Sequence, residues 1–201
     1  MTNDAVGAEV CGQVLVVCTG NVCRSPYIER RLAQLLEGSG VEVVSAGTQA
    51  LVGAAIDPGS VVELANRQAE TSAFAARQLT PQMIGAVDLV LTAAREHRAA
   101  VVQLNPRALR YCFTLADFAD LIDGLDVAQV GPGEPGATRV ARIAAAAAAR
   151  RGLVVPRAAE QSDILDPVNQ GPAQFARMAS DIERALRPGV RALELPIGHR
   201  P

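Results

Sequence analysis

The chain has 201 residues, 49% hydrophobic and 20% charged, with a formal net charge of −2; that suits one globular domain with a real core. So small a charge gives no electrostatic case for nucleic acid, whose binders carry a basic face, and no run of about 18 uncharged apolar residues indicates a membrane span. The opening MTNDAVGAEVCGQ lacks the basic-then-apolar order of a secretory signal, so a cytoplasmic location is expected, with the four cysteines as thiols rather than disulfides.

Taken in chain order, Gln13–Cys18 carries the unbroken apolar run VLVVC, which predicts a buried parallel strand. Pro26 suits a first helical turn, and YIERRLAQLLEG continues at helical spacing until Gly38 and Gly40. Val41–Gly47 reads as a second strand. Asp57-Pro58 and Thr80-Pro81 each open a helix, with Asp57 as cap. Val87–Ala93 is a third strand, REHRAAVVQL a helix ended by Asn105-Pro106, and Arg110–Leu115 a fourth strand before the helical ADFADLIDGL.

From about Asp126 to Val155 the chain changes character. A Gly/Pro-rich loop leads to the Ala-rich helix ATRVARIAAAAAARRG, whose Arg139, Arg142, Arg150 and Arg151 suit either an acidic partner or a solvated packing face. A closing amphipathic helix, AQFARMASDIERALRP, follows, and residues 188–201 are expected to be a loosely attached tail. Strands alternating with helices predict an α/β fold on a parallel sheet: one domain over residues 1–187, with an inserted loop–helix segment near 126–155. Ligands of such sheets bind beyond the carboxyl ends of the strands, where Cys18 sits.

Cys18 and Arg24 enclose Thr19, Gly20, Asn21, Val22 and Cys23, in a loop that joins the first strand to a helix starting near Ser25. Loop amides turned inward toward a helix N-terminus form an anion site. Gly20 and Asn21 tolerate the positive φ angles of such a curl. Arg24 adds a planar fork for a tetrahedral oxyanion. The same field favours a nucleophilic thiolate at Cys18. In-line attack on a bound phosphate would give a phosphocysteine, with equatorial charge held by the amides and Arg24, and Ser25 donating to the departing thiolate. A carboxylic acid must protonate the leaving oxygen. Spacing alone leaves the Asp166-Pro167 pair of SDILDP open as either that acid or a simple turn, with Asp163 as the fallback.

VLVVCTGNVCRSP resembles the phosphate-binding loop of low-molecular-weight protein tyrosine phosphatases. The likeness continues through SAGT (Ser45–Thr48), ARQLTPQMI (Ala76–Ile84), DLVL and SDILDP. It implies a three-layer αβα fold with a flavodoxin-like sheet order 2-1-3-4, Cys18 as nucleophile, Arg24 as phosphate clamp and Asp166 as general acid and base. Ser25 would assist the thiolate and Ser45 would support the loop. The substrate implied is a phosphorylated protein, phosphotyrosine foremost, with no cofactor and no metal required, because Arg24 and the amides supply the positive charge; oligomeric state is not legible.

The chain departs from the family's pattern at the pocket walls. Val168-Asn169 stand where an aromatic residue usually follows the Asp-Pro pair. QALVGAAID replaces a loop that often carries Trp, and the chain has no Trp at all. Ala93-Ala94 replace the familiar Met-Asp, and a loop-supporting histidine aligns with Phe74. Each lost stacking partner costs about 0.5–1.5 kcal/mol, so the grip on an aryl group is expected to be weaker. Tyr27 is either a partial replacement wall or a helix-surface residue.

Three alternatives stand beside this reading. Protein arginine phosphatases share the loop, with Thr typical at the position of Val22. Thioredoxin-linked arsenate reductases need two cysteines just after the third strand, where TAAREHRAAVVQL has none and Cys112 falls in the fourth strand. A non-catalytic phosphate-binding module needs a broken catalytic set, yet Cys18, Arg24 and Asp166 are all present. Cys23 has two readings, a reversible disulfide with Cys18 or a packing thiol; Cys11 has no assigned partner.

Overall fold

A computed structural model describes residues 11–131 and 133–194. The readings placed on residues 1–10 and 195–201 lie outside this range. Strands β1 (Gln13–Cys18), β2 (Glu42–Gly47), β3 (Leu89–Thr92) and β4 (Cys112–Thr114) form one parallel sheet in the order β2-β1-β3-β4, the order expected. Side chains alternate across β1, so its apolar run feeds two cores. Val14, Val16 and Cys18 enter the larger core with Ile28, Phe113, Phe118, Ile143 and Ile182. Leu15 and Val17 enter the smaller one with Ile84, Val101 and Ala108. The result is a three-layer α/β sandwich.

The helices are α1 (Arg24–Leu35), α2 (Pro58–Ala65), α3 (Pro81–Gly85), α4 (Arg95–Leu104), α5 (Leu115–Ile122), α6 (Arg139–Ala149), α7 (Ala159–Ser162) and α8 (Pro172–Glu194). The caps read from sequence are present: Asp57 accepts from Gly59 N at 2.8 Å and Thr80 from Met83 N at 3.3 Å. Strand β4 is shorter than Arg110–Leu115. Pro106–Arg110 closes a 3-10 turn, and Thr114 leaves the strand to cap α5 through Asp117 N at 3.0 Å.

Helix α6 lies along the amino ends of the strands, away from Cys18. Its first turn is tied to the start of β1 by Val140 N donating to Cys11 O at 3.1 Å. Gly12, at φ +106°, permits this approach: a Cβ there would lie 2.6 Å from both Thr138 Oγ1 and Asp88 Oδ2. At its far end Arg151 donates to Leu109 O and Cys112 O at 2.6 and 2.9 Å and stacks 4.1 Å from the Phe113 ring. Arg139 is buried and donates to Ser39 O at 2.9 Å. Two of the four arginines therefore anchor the helix inward, while Val140, Ile143, Ala144 and Ala147 fill the larger core.

Residues 188–194 are helical, not the loose tail that was expected there. Helix α8 continues through Pro188 to Glu194. Proline removes one helical hydrogen bond, but Gly189, Ala192 and Leu193 stay buried, with Gly189 against Phe118 and Ile122. That apolar packing carries the helix past the proline. Among the described residues no helix is long and apolar enough to cross a membrane.

Candidate active site

β1 delivers Cys18, 2% exposed, to the carboxyl edge of the sheet, and α1 begins six residues later. Between them Asn21 takes φ +55°, which bends the chain into a cup. The cup is held from outside. Thr48 N, Gln49 N, Leu51 N and Asp57 N donate to the carbonyls of Cys18, Thr19, Gly20 and Val22 at 2.9–3.0 Å. The amides of Gly20 to Cys23 donate to no backbone carbonyl among the described residues. Unpaired amides on a concave turn ahead of a helix N-terminus make an anion nest. Gly47, at the end of β2, lets the cup close: a Cβ there would sit 2.3 Å from Thr19 O.

A buried hydrogen-bond chain sets the direction of the donor to the thiol. Arg77 N donates to Asn21 Oδ1 at 2.7 Å, which turns the Asn21 amide nitrogen inward. Nδ2 then donates to Ser45 Oγ at 2.8 Å and Ser25 Oγ at 2.9 Å. Ser45 in turn donates a hydrogen bond to the buried Glu29 Oε2. Ser25, having accepted from Asn21, has its own proton free for Cys18 Sγ, 2.9 Å away.

Arg24 is 4% exposed and reaches across the cup. Its Nη2 donates to Asp166 Oδ2 at 2.6 Å and to Thr19 Oγ1 at 3.3 Å. Asp166 hangs on the loop between α7 and α8, its side chain 46% exposed. That loop is pinned to the sheet edge where Ile164 N donates to Ala93 O at 2.8 Å. Asp163, the fallback acid, is occupied instead with Arg95, accepting from its backbone N at 2.8 Å. A cavity of about 870 Å³ opens beside Arg24 and Asp166. Leu51, Val52 and Val168 are exposed aliphatics at 60%, 72% and 44%; Leu51 is hydrogen-bonded to the cup itself, and Val168 follows the Asp-Pro pair. Tyr27 is fully buried and donates to Glu183 Oε1 at 2.9 Å, so it is neither a wall nor a surface residue.

Among the described residues Cys18, Cys23 and Cys112 form no disulfide. Burial, then the charge of Asp57, pushes Cys23 up to about 12; burial does the same to Cys112. Among the described residues no group of His, Cys, Asp and Glu is arranged to hold a metal ion.

Residues 13–133 match the family model described as low molecular weight phosphotyrosine protein phosphatase. That span is more than half of the chain. The chain belongs to the low molecular weight phosphotyrosine protein phosphatase family. A curated relative, the probable low molecular weight protein-tyrosine-phosphatase EpsP of Ralstonia solanacearum, is 36% identical over 104 residues, covering 52% of this chain and 70% of the relative. The tyrosine phosphatase AmsI of Erwinia amylovora superposes with a TM-score of 0.67 at 24% identity, over 94% of this chain and 97% of that one. The arginine phosphatase YwlE of Geobacillus stearothermophilus superposes with a TM-score of 0.66 at 25% identity, over 90% and 92%. Backbone shape therefore does not separate the two substrate classes. Asp166 lies beyond the family match, so its candidacy stands on the contact with Arg24.

Two residues of this phosphatase's site escaped the sequence reading. Glu29 lies four residues after Ser25 on α1, hence on the same face, and that spacing was a usable signal. His97 lies just past β3 and four residues before the buried Val101, which places it inward at the catalytic edge. Its Nε2 is 2.8 Å from Thr19 Oγ1.

Proposed function

We propose that this chain hydrolyses phosphotyrosine in proteins through a phosphocysteine on Cys18. The observation that carries the reading is that Arg24, at the end of the Cys18 loop, donates to Asp166 at 2.6 Å, and that both line one cavity. In the first step the Cys18 thiolate attacks phosphorus, the P–O bond to the substrate breaks, and Asp166 protonates the departing oxygen. The amides of Gly20 to Cys23 and Arg24 hold the equatorial oxygens. In the second step water attacks phosphorus and gives its proton to Asp166. The P–S bond then breaks, with Ser25 donating to the sulfur as it regains its charge. Asn21 and Ser45 keep the loop in shape; Val22 faces the substrate. Phosphoproteins of the cytoplasm are the substrates in this reading, and residues 126–155 are an insertion within a single phosphatase domain.

Arginine dephosphorylation is the second reading. What favours it is that the exposed residues bonded to the cup and just after the Asp-Pro pair, Leu51 and Val168, are aliphatic rather than aromatic. One experiment separates the two and tests both: phosphotyrosine peptides, phosphoarginine peptides and p-nitrophenyl phosphate on wild type, Cys18→Ser and Asp166→Asn. The first reading expects faster turnover of phosphotyrosine and no turnover in Cys18→Ser. Full activity in Cys18→Ser ends both.

A further inference from the structure

Thr19 follows the nucleophile directly, and its side chain sits between two buried nitrogen donors. Arg24 Nη2 donates to Thr19 Oγ1 at 3.3 Å. On the other side His97 Nε2 lies 2.8 Å away, on a ring 2% exposed, while His97 Nδ1 is buried without a partner. Burial, then the positive charge of Arg24, pushes His97 down to about 4, so the ring is neutral under ordinary conditions and carries a single proton. Placing that proton on Nδ1 leaves a buried N–H with no acceptor. Placing it on Nε2 leaves only an unfilled lone pair, the smaller penalty. The Nε2–H tautomer is therefore the one that fits. Thr19 Oγ1 then accepts from both Arg24 and His97, which uses both of its lone pairs. The hydroxyl keeps only its donor function, and its two neighbours turn that proton away from themselves.

We propose that the Thr19 hydroxyl is a side-chain donor to a phosphate oxygen of the substrate, and that His97 is a positioning residue that forces it into that role. The proposal rests on the phosphate-binding reading of the cup. It adds to the loop amides and Arg24 a third kind of donor, one whose direction is set from α4 rather than from the loop itself. Glu96, whose Oε1 is 3.4 Å from His97 Nε2, is mostly exposed and does not compete for the buried face.

The probe is inorganic phosphate, read as competitive inhibition of p-nitrophenyl phosphate hydrolysis, in wild type, Thr19→Val, His97→Ala, His97→Gln and the double variant Thr19→Val/His97→Ala. A hydrogen bond to a charged group predicts that Thr19→Val weakens phosphate binding about tenfold. His97→Ala should weaken it severalfold. His97→Gln, whose amide N–H can reach the place of Nε2, should restore most of that loss. The double variant should be no weaker than Thr19→Val alone. Additive losses, failure of Gln to rescue, or unchanged phosphate affinity in Thr19→Val would each overturn the proposal. A wild-type protein with neither hydrolysis nor phosphate binding would instead sink the underlying phosphatase reading.

Discussion

Arg24 Nη2 and Asp166 Oδ2 are 2.6 Å apart, so the cation of the cup and the carboxylate above it hold each other. A phosphate entering the cup competes with Asp166 for that guanidinium. Asp166→Asn removes the competing charge as well as the acid. Turnover of p-nitrophenyl phosphate should fall about 10²–10⁴-fold, while inorganic phosphate binds more tightly than to wild type. Steady-state kinetics with phosphate as inhibitor checks both; phosphate affinity that drops along with turnover would mean that Asp166 does not oppose the ligand.

Ser45 donates to the buried Glu29 and accepts from Asn21. Ser45→Ala strands a buried carboxylate without its donor and frees one Asn21 proton. A loss of about 1–3 kcal/mol in stability is expected, measured as a lower urea midpoint at unchanged slope. Turnover should fall as well, because the amide that sets Ser25 loses one of its two anchors.

His97 is held well below its ordinary value, at about 4 against 6.5. Between those two values the unfolded chain binds a proton that the folded chain does not. Stability from this group is complete above about pH 6.5 and is lost as the pH falls toward 4, by up to about 3 kcal/mol. Denaturant melts from pH 7 to pH 4 on wild type and His97→Gln check this: the variant should lose less over that range.

Cys23 and Cys112 are pushed up to about 12, so both stay protonated and poorly nucleophilic at neutral pH. Brief treatment of the native protein with iodoacetate at pH 7 should leave both unmodified, as read by peptide mass analysis. For the same reason a disulfide from Cys23 to an oxidised Cys18 should form slowly at pH 7 and roughly tenfold faster per pH unit above it. Quenching peroxide-treated samples at intervals and counting the activity that dithiothreitol recovers tests that slope.

Arg151 binds two backbone carbonyls and the face of Phe113 far from the cup. Arg151→Ala should cost about 1 kcal/mol, through the lost hydrogen bonds and ring contact, since Cys112 O keeps the bond from Arg98 Nε at 3.0 Å. KM and kcat should stay as in wild type, which separates an anchor of α6 from a residue of the site.

The strands, the parallel sheet and the Cys18 loop were legible because each depended on local signals: an apolar run of strand length, Asp-Pro and Thr-Pro helix starts, and a short polar loop between them; the sheet order came from the resemblance. Asp166 needed a resemblance, since nothing local distinguishes an acid from a turn at an Asp-Pro pair. Glu29 and His97 were missed for a related reason. Their partners, Ser45 and Thr19, are distant in sequence, and a polar residue on an amphipathic helix declares its face only by spacing to buried neighbours. The helix past Pro188 was not legible for a related reason: a proline breaks helices locally, and only the packing of Gly189 against Phe118 and Ile122 of α5 shows why the helix goes on.

Helix α6 is bolted to the amino ends of β1 and β4, on the opposite edge from Cys18. Just before it, Gly136 turns at φ +80° with open space around it. The chain can therefore carry cargo there, such as a fluorophore, a purification handle or a targeting peptide, with the chemistry at the other edge left undisturbed. That makes the turn at Gly136 the natural grafting point.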